Sequence, residues 1–301
     1  MNQTHKGIFA YHILAFAIVA VWGTTFVCTK VLLGKGLSPE EIFFYRFLAA
    51  YLLMLAYSHK RLFARSVRDE LLTALSGVFG GSLYFYTENT ALGYTATTNI
   101  ALILCITPLL TAGMLHLFNR NSREKKNNTA FLLGSLLAIA GVACVILNGH
   151  FKLRVSPKGD LLCLAAALCW SFYTVCIRKL NPRYDNLFIT RKVFFYGLIT
   201  ILPLYFSVPH PLSRLTDPVV YGNLLYLGVV ASLLCFFFWN RVLQKINPLQ
   251  ATNYLYFSPV ITATAAYFVL HESITGIMII GAGLIVGGVY LSGKTASKKP
   301  A

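Results

Sequence analysis

The chain alternates long apolar runs with short polar segments, and this pattern predicts its architecture. A helix that spans a bilayer needs roughly 20 predominantly apolar residues. The runs are continuously apolar, whereas the strands of a membrane barrel alternate apolar and polar residues over about 10 positions. The sequence therefore predicts an all-α integral membrane protein with ten transmembrane helices. The predicted helices cover residues 11–33, 40–58, 71–88, 95–118, 130–148, 160–179, 187–206, 222–243, 249–270 and 274–292.

Composition agrees with this prediction, and charge adds an orientation to it. Only 12% of the residues are charged and 56% are hydrophobic, whereas a soluble domain carries about a quarter charged residues. A net charge of +16 would suggest nucleic acid in a soluble protein, but most of the 26 Lys and Arg residues gather on the side of the N-terminus. The positive-inside rule then predicts that both termini are cytoplasmic. We expect a multi-pass protein of the cytoplasmic (inner) membrane of a bacterium, with the lipid bilayer as a partner and no nucleic-acid partner.

An internal repeat divides the chain into two parts that carry the same motifs in the same order. The matched motifs are Trp22 with Trp170, Val27–Cys28 with Val175–Cys176, FFYR (43–46) with FITR (188–191), Gly77–Val78 with Gly228–Val229, Asn89 with Asn240, Thr107–Pro108 with Ser258–Pro259, and Gly141–Val142 with Gly288–Val289. Each copy holds five predicted helices, and an odd number makes the second copy enter the membrane from the opposite side. We therefore expect two inverted five-helix repeats, 1–149 and 150–301, which is a recurring design of secondary transporters.

These motifs carry a family resemblance over essentially the whole chain. Trp22–Gly23, Arg46 of FFYR, TALGYTATTNIALILCITPLLTA (90–112) and INPLQATNYLYFSPVITATAAYFVLHESIT (246–275) are similar to the EamA-type family of the drug/metabolite transporter superfamily. The resemblance implies ten helices around a central cavity and the transport, often the export, of amino acids or other metabolites. The chain departs from the family in one place. The second copy keeps a short turn between its last two helices, whereas the first copy has the long basic segment 119–128 (NRNSREKKNN) at the equivalent position.

Two prolines mark the predicted substrate site. Pro108 and Pro259 lie near the centres of the fourth and ninth predicted helices. An interior proline frees a carbonyl one turn earlier and kinks its helix, and broken helices at the midplane indicate a transport site. The alternative is that Thr107 and Ser258 bond the freed carbonyls locally, so that the prolines only shape the packing.

Polar and aromatic residues near these breaks are the candidate cavity lining. Tryptophans can hold an apolar group and donate one hydrogen bond, and asparagines near a break can bind a polar solute. The alternative for both is packing between helices. The substrate-binding candidates are Trp22, Thr25, Glu88, Asn89, Asn99, Thr107, Pro108, Trp170, Tyr173, Asn240, Asn253, Tyr254, Tyr256, Ser258 and Pro259.

Three charged residues within predicted helices carry the most chemistry. Arg46 and Arg191 could bind an anionic group or extend to the membrane interface. Glu88 ends the third predicted helix and could receive an ammonium group or exchange a proton. The alternative for Glu88 is a surface carboxylate that caps the next segment.

The sequence favours a secondary transporter, in the export direction, that moves small metabolites such as amino acids by alternating access. A sugar-phosphate or other organic-anion exchanger that uses buried arginines remains an alternative, as does a channel-like facilitator. An intramembrane enzyme is disfavoured, because no cluster of nucleophile, base or metal ligands is visible. We expect no catalytic residue, metal or cofactor, a small-molecule substrate, protons as a candidate coupling ion, and a monomer or homodimer.

Overall fold

The computed structural model describes residues 2–57, 61–94, 100, 103–118, 129–147, 156–209, 211–270 and 276–294, and regular structure within these residues is helical. The helices are α1 (Asn2–Gly34), α2 (Pro39–Tyr57), α3 (Val67–Gly77, π-helical Val78–Ser82 and Leu83–Ala91), α4 (Thr107–Phe118), α5 (Thr129–Leu147), α6 (Pro157–Leu180), α7 (Asn186–Tyr205), α8 (Pro218–Leu225, π-helical Tyr226–Leu234 and Cys235–Lys245), α9 (Pro248–Asn253, 3₁₀-helical Tyr254–Phe257 and Ser258–Leu270) and α10 (Gly276–Lys294). A 3₁₀ turn, Leu212–Thr216, precedes α8.

Each predicted apolar run overlaps one of these helices. The largest difference lies in the fourth run, which the sequence predicts as one helix over 95–118, because residues 105–106 form a turn and α4 begins only at Thr107. Helix α1 differs in the other direction and continues from its apolar run back to Asn2, into polar residues that a hydropathy pattern does not assign. Four described helices are long and apolar enough to cross a membrane by length and composition: Ile8–Gly34, Pro157–Leu180, Asn186–Tyr205 and Pro218–Lys245. Shorter apolar helices include Thr129–Cys144 and Ile279–Ser292.

Local sequence signals fix where several helices begin. The side chains of Ser66, Ser156, Asp185, Asp217 and Asn247 each accept a hydrogen bond from a backbone amide in the first turn of the following helix. In α6, α8 and α9 a proline follows the capping residue directly, where its fixed φ suits the first helical position and its missing amide removes no bond.

The contacts between helices follow a twofold pattern. Helix α1 packs on α8 and α9, and α6 packs in the same way on α3 and α4; α2 contacts α7 and α8, and α7 contacts α2 and α3. The most extensive contact joins α5 to α10. Exchanging the first five helices with the last five reproduces this set of contacts. A symmetry axis between the two parts of the chain would produce such an exchange.

Glycines allow the close contact between α5 and α10, although not all of those that the sequence suggests. A Cβ added to Gly141 would lie 2.6 Å from the carbonyl oxygen of Gly281, and one on Gly288 would lie 2.5 Å from that of Gly134. A glycine-rich run in α10, Gly283–Gly287, also suggests close backbone contact. The structure corrects this, because nothing lies within 4 Å of a Cβ on Gly283 and only a leucine methyl at 3.8 Å from one on Gly287.

Four ion pairs among the described residues join the two parts of the chain, and they include one beyond each end of α2. Lys35, after α1, lies 2.8 Å from Asp217, the capping residue of α8. Arg183, after α6, lies 2.5 Å from Asp69 in the first turn of α3. The hydrogen bond from Lys35 lowers the pKa of Asp217. Burial would raise the pKa of Asp69, but hydrogen bonds from Tyr184 and Arg183 hold it below its ordinary value.

Candidate functional site

A cavity lies among the helices at the point where α1, α2, α3, α4, α6, α8 and α9 converge. Seven of its lining residues are candidates from the sequence: Trp22, Thr25, Arg46, Glu88, Thr107, Trp170 and Ser258. The others are Phe26, Tyr84, Phe85, Leu104, Cys105, Phe236 and Leu255. As far as the described residues show, the walls are thus largely aromatic and apolar, with one cation and one carboxylate.

The cavity has the size of a small metabolite. The cavity volume is about 60 Å³. A bound water needs about 10–15 Å³ on this measure, so the space corresponds to about four to six water molecules. A small amino acid has a similar volume, whereas a disaccharide is larger.

Arg46 enters the cavity from α2 and is held on two sides. Its Nε donates to Ser232 Oγ at 2.9 Å, and its guanidinium lies 4.3 Å from the centre of the Phe85 ring. The residue is 2% exposed, so the guanidinium does not reach out to an interface. Among the residues that the structure describes, neither Nη nitrogen of Arg46 has a hydrogen-bond partner, which leaves both able to bind an anionic group.

Glu88 enters the same cavity from the last stretch of α3. It is 7% exposed, and its Oε1 accepts a hydrogen bond from Tyr84, one helical turn earlier, at 2.7 Å. Glu88 is therefore not a surface carboxylate. Within the described residues Arg46 donates to Ser232 and Glu88 accepts from Tyr84, so the two charged side chains do not hydrogen-bond to each other. Opposite charges therefore line one cavity without an ion pair across it.

Two tryptophans form an edge-to-face pair in the wall. The rings of Trp22 and Trp170 are 5.2 Å apart with an interplanar angle of 87°. The indole of Trp22 donates to the carbonyl of Ala231 at 3.0 Å. The indole nitrogen of Trp170 is buried and has no partner among the described residues. A buried donor without a partner is costly.

The two prolines affect their helices in different ways. In α4 the freed carbonyl of Leu104 accepts a hydrogen bond from the Thr107 hydroxyl at 2.6 Å. In α9 the carbonyl of Leu255 accepts from the backbone amide of Ser258, because the stretch before Pro259 is 3₁₀-helical. The carbonyls are thus bonded locally, as the packing alternative proposed. Pro108 and Pro259 do not line the cavity, although the residue before each of them does.

Three candidates lie in hydrogen bonds between helices outside the cavity lining. Tyr173 donates to Asn240 Oδ1 at 2.6 Å, and Asn240 Nδ2 donates to Thr190 Oγ1 at 3.0 Å. These bonds connect α6, α8 and α7. Asn89 Nδ2 lies 3.5 Å from the carbonyl oxygen of Pro39 at the start of α2.

Four more candidates line other contacts. Asn253 donates to Ser292 of α10 at 2.8 Å, and the hydroxyl of Tyr254 lies 2.9 Å from Nδ1 of His12. Tyr256 belongs to an apolar cluster between α5 and α9. Arg191 lies over the Phe188 ring at 5.7 Å, away from the cavity lining. Asn99 lies outside the described residues.

Sequence reasoning missed Tyr84, Phe85 and Phe236. Tyr84 had a usable signal, because it precedes Glu88 by four residues and side chains at that spacing meet on one helical face. Phe85 and Phe236 had none, since an aromatic residue in an apolar run has the same hydropathy whether it faces lipid, a helix or a cavity.

Comparison with known proteins agrees with this architecture. The model of the EamA-like transporter family matches residues 9–147 and again 157–293. An uncharacterized transporter from Archaeoglobus fulgidus is 30% identical over 290 residues, which cover 93% of this chain and 96% of the relative. A probable amino-acid metabolite efflux pump from Salmonella typhimurium is 27% identical over 295 residues, 93% of each chain. A solved crystal structure shares the fold with a TM-score of 0.75 at 20% identity, covering 95% of this chain and 97% of that one.

Proposed function

Because this chain belongs to the EamA-like transporter family, we propose that it is a secondary carrier that exports small zwitterionic metabolites, of which amino acids are the main class. As a member of that family it is a multi-pass membrane protein and a transporter. One observation carries the choice of substrate class. Arg46 and Glu88 line a single small cavity with aromatic walls.

Each group of an amino acid has a counterpart in this cavity. The free Nη atoms of Arg46 form a planar fork that suits a carboxylate. The Glu88 carboxylate can accept hydrogen bonds from an ammonium group, and Trp22, Phe26 and Phe236 offer apolar surface for a side chain. The relative from Salmonella typhimurium, described as a probable amino-acid metabolite efflux pump, supports this class.

The alternative of a sugar-phosphate or other organic-anion exchanger is less well supported. Such a solute carries one or two negative charges and would need a cationic cavity. Here Glu88 places a carboxylate in the same cavity as Arg46, and like charges repel strongly in a medium of low dielectric constant.

Movement of the solute would follow alternating access between two inverted five-helix repeats, 1–149 and 150–301, with both termini in the cytoplasm. The exchange of helix contacts between the first and last five helices supports this mechanism. The ion pairs Lys35–Asp217 and Arg183–Asp69 support it too, because they join one repeat to the other at opposite ends of α2. Opening one face of the carrier would separate one pair and leave the other intact.

The proposal is tested with purified protein in proteoliposomes. We expect saturable counterflow of at least one of the twenty common amino acids, and at least about tenfold weaker flux of its carboxamide and of its N-acetyl derivative, since a hydrogen bond to a charged group contributes about 1.5–3 kcal/mol. Exchange of sugar phosphates instead would favour the anion exchanger, and flux that does not saturate would favour a channel. Absence of flux for all amino acids would contradict the proposal.

The same vesicles test the coupling ion and the topology. Flux that rises with an imposed pH gradient would support protons as the coupling ion. Impermeant labels attached to cysteines added at each terminus should report both termini on one side of the membrane. Labelling from opposite sides would contradict the five-helix inverted repeat.

A further inference from the structure

The π-helical stretch Tyr226–Leu234 of α8 contacts the cavity residues from behind. Its Ala231 carbonyl accepts from the Trp22 indole, and its Ser232 hydroxyl accepts from Arg46 Nε. Neither Ala231 nor Ser232 lines the cavity. Two cavity side chains from different helices are therefore held by consecutive residues of one irregular turn.

The widened turn makes this arrangement possible. The backbone amide of Cys235 donates to the carbonyls of Val230 and Ser232 and passes over that of Ala231. In a regular α-helix the same amide would bond to Ala231, four residues earlier. The Ala231 carbonyl is thus available to Trp22, and π-helical turns of this kind occur frequently at functional sites.

The backbones of α2 and α8 also meet at this point. A Cβ added to Gly228 would lie 3.2 Å from the carbonyl oxygen of Arg46 and 3.5 Å from its Cα. Ser232 follows Gly228 by one turn and is fully buried. The close approach of the two backbones therefore brings the Ser232 hydroxyl within hydrogen-bond distance of Arg46 Nε.

We propose that Ser232 is a positioning residue for substrate recognition. By accepting the Nε hydrogen bond, while Phe85 supports the face of the guanidinium, it turns the two Nη atoms of Arg46 into the cavity to receive the carboxylate of the solute. This inference rests on the proposed function and adds a selectivity determinant that does not touch the substrate.

The chain offers a matched control in α3. Ser82 ends the other π-helical stretch, Val78–Ser82, and its buried hydroxyl hydrogen-bonds to Thr200 of α7 at 2.7 Å. Neither residue lines the cavity. S82A thus removes a buried serine hydroxyl from an equivalent turn without touching Arg46.

The experiment measures counterflow in proteoliposomes with wild type, S232A, S232T and S82A. The probes are the fastest-transported of the twenty common amino acids and its own carboxamide. We expect S232A to raise the KM for the amino acid about tenfold with Vmax nearly unchanged, because an arginine that rotates freely is poorly aligned for a charge-assisted hydrogen bond. The KM for the carboxamide, which lacks the carboxylate, should change less than twofold. S82A should leave both values unchanged, and S232T should restore most of the wild-type KM.

Other results would overturn the proposal. Equal effects of S232A on amino acid and carboxamide, or equal effects of S232A and S82A, would reduce Ser232 to a packing residue. An unchanged KM in folded S232A, verified by its melting temperature, would show that Arg46 does not need the contact. If wild type transports none of the amino acids, the proposed function fails first, and the positioning role that rests on it fails with it.

Discussion

The third and eighth helices show how differently the two parts of this chain use the same framework. Both contain a π-helical stretch, which follows Gly77 in α3 and includes Gly228 in α8, and both then carry an asparagine. The residue before that asparagine is Glu88 in α3 and Trp239 in α8. Glu88 lines the cavity with a carboxylate, whereas Trp239 is fully buried, with its ring 5.1 Å from that of Trp22.

The two arginines of the repeat differ in the same way. Arg46 lines the cavity, and its counterpart Arg191 lies over Phe188, away from the lining. The two parts of the chain therefore share their helix arrangement, but both described charged residues of the cavity, Arg46 and Glu88, come from the first part. A zwitterion has two different ends, so a cavity that binds it in one orientation must itself be asymmetric.

Replacing each arginine by lysine is the strongest test of the difference between Arg46 and Arg191. Lysine keeps the charge but cannot reproduce the planar fork. We expect R46K to lower amino-acid counterflow by at least about tenfold, because a charge-assisted hydrogen bond is worth about 1.5–3 kcal/mol. R191K should lower it less than R46K does, because Arg191 does not line the cavity, with flux normalised to folded protein. Equal losses in the two variants would show that the asymmetry has no functional meaning.

Changing Glu88 and Trp239 would sharpen the comparison. E88Q keeps the shape and removes the charge, so we expect about a tenfold rise in KM for an amino acid. The flux of its N-acetyl derivative, which has no ammonium group, should rise relative to the flux of the amino acid. W239F changes packing rather than charge and should shift the melting temperature without changing that preference. Loss of flux without a change of preference in E88Q would argue against an ammonium contact.

Substitutions of the residues before the two prolines, Thr107 and Ser258, should have smaller effects, and these effects are measured as changes in the free energy of unfolding. T107V removes the hydroxyl that bonds the Leu104 carbonyl, and an unsatisfied buried acceptor costs about 1–3 kcal/mol. S258A keeps the backbone amide that bonds the Leu255 carbonyl, so its unfolding free energy should change by less than about 0.5 kcal/mol. Thermal unfolding in detergent compares the two. A greater loss in S258A would contradict this account of α9.

The smallest effect concerns the ion pairs Lys35–Asp217 and Arg183–Asp69. Because the pKa of each aspartate is lowered in the folded state, each contributes stability above its unfolded pKa of about 3.9. That contribution is lost as the pH falls through the lower, folded pKa. We expect D217N and D69N to reduce the acid-induced fall in melting temperature slightly. An unchanged pH profile in both variants would show that solvent screens these pairs.

The sequence by itself predicted the apolar helices and the family, although the predicted starts at 160 and 222 lie a few residues after the observed ones at Pro157 and Pro218. Long apolar runs require a bilayer or a core, and capping residues such as Ser156 and Asp217, each followed by proline, fix helix starts through local bonds alone. Trp22, Arg46, Glu88 and Trp170 were also identified as candidates from sequence. The repeat marked the two tryptophans as unusual, and charge within an apolar run marked Arg46 and Glu88.

Only the tertiary structure decided which of the candidates share a cavity. Asn240 and Tyr173 bond to each other between helices, while Tyr84 and Ser232 hold the two charged residues of the site. Hydropathy cannot separate these cases, because an apolar helix in a bilayer has similar side chains facing lipid and facing its neighbours. The rotation of each helix and the contacts of its polar atoms depend on the packing of the other helices, and that information is not local in sequence.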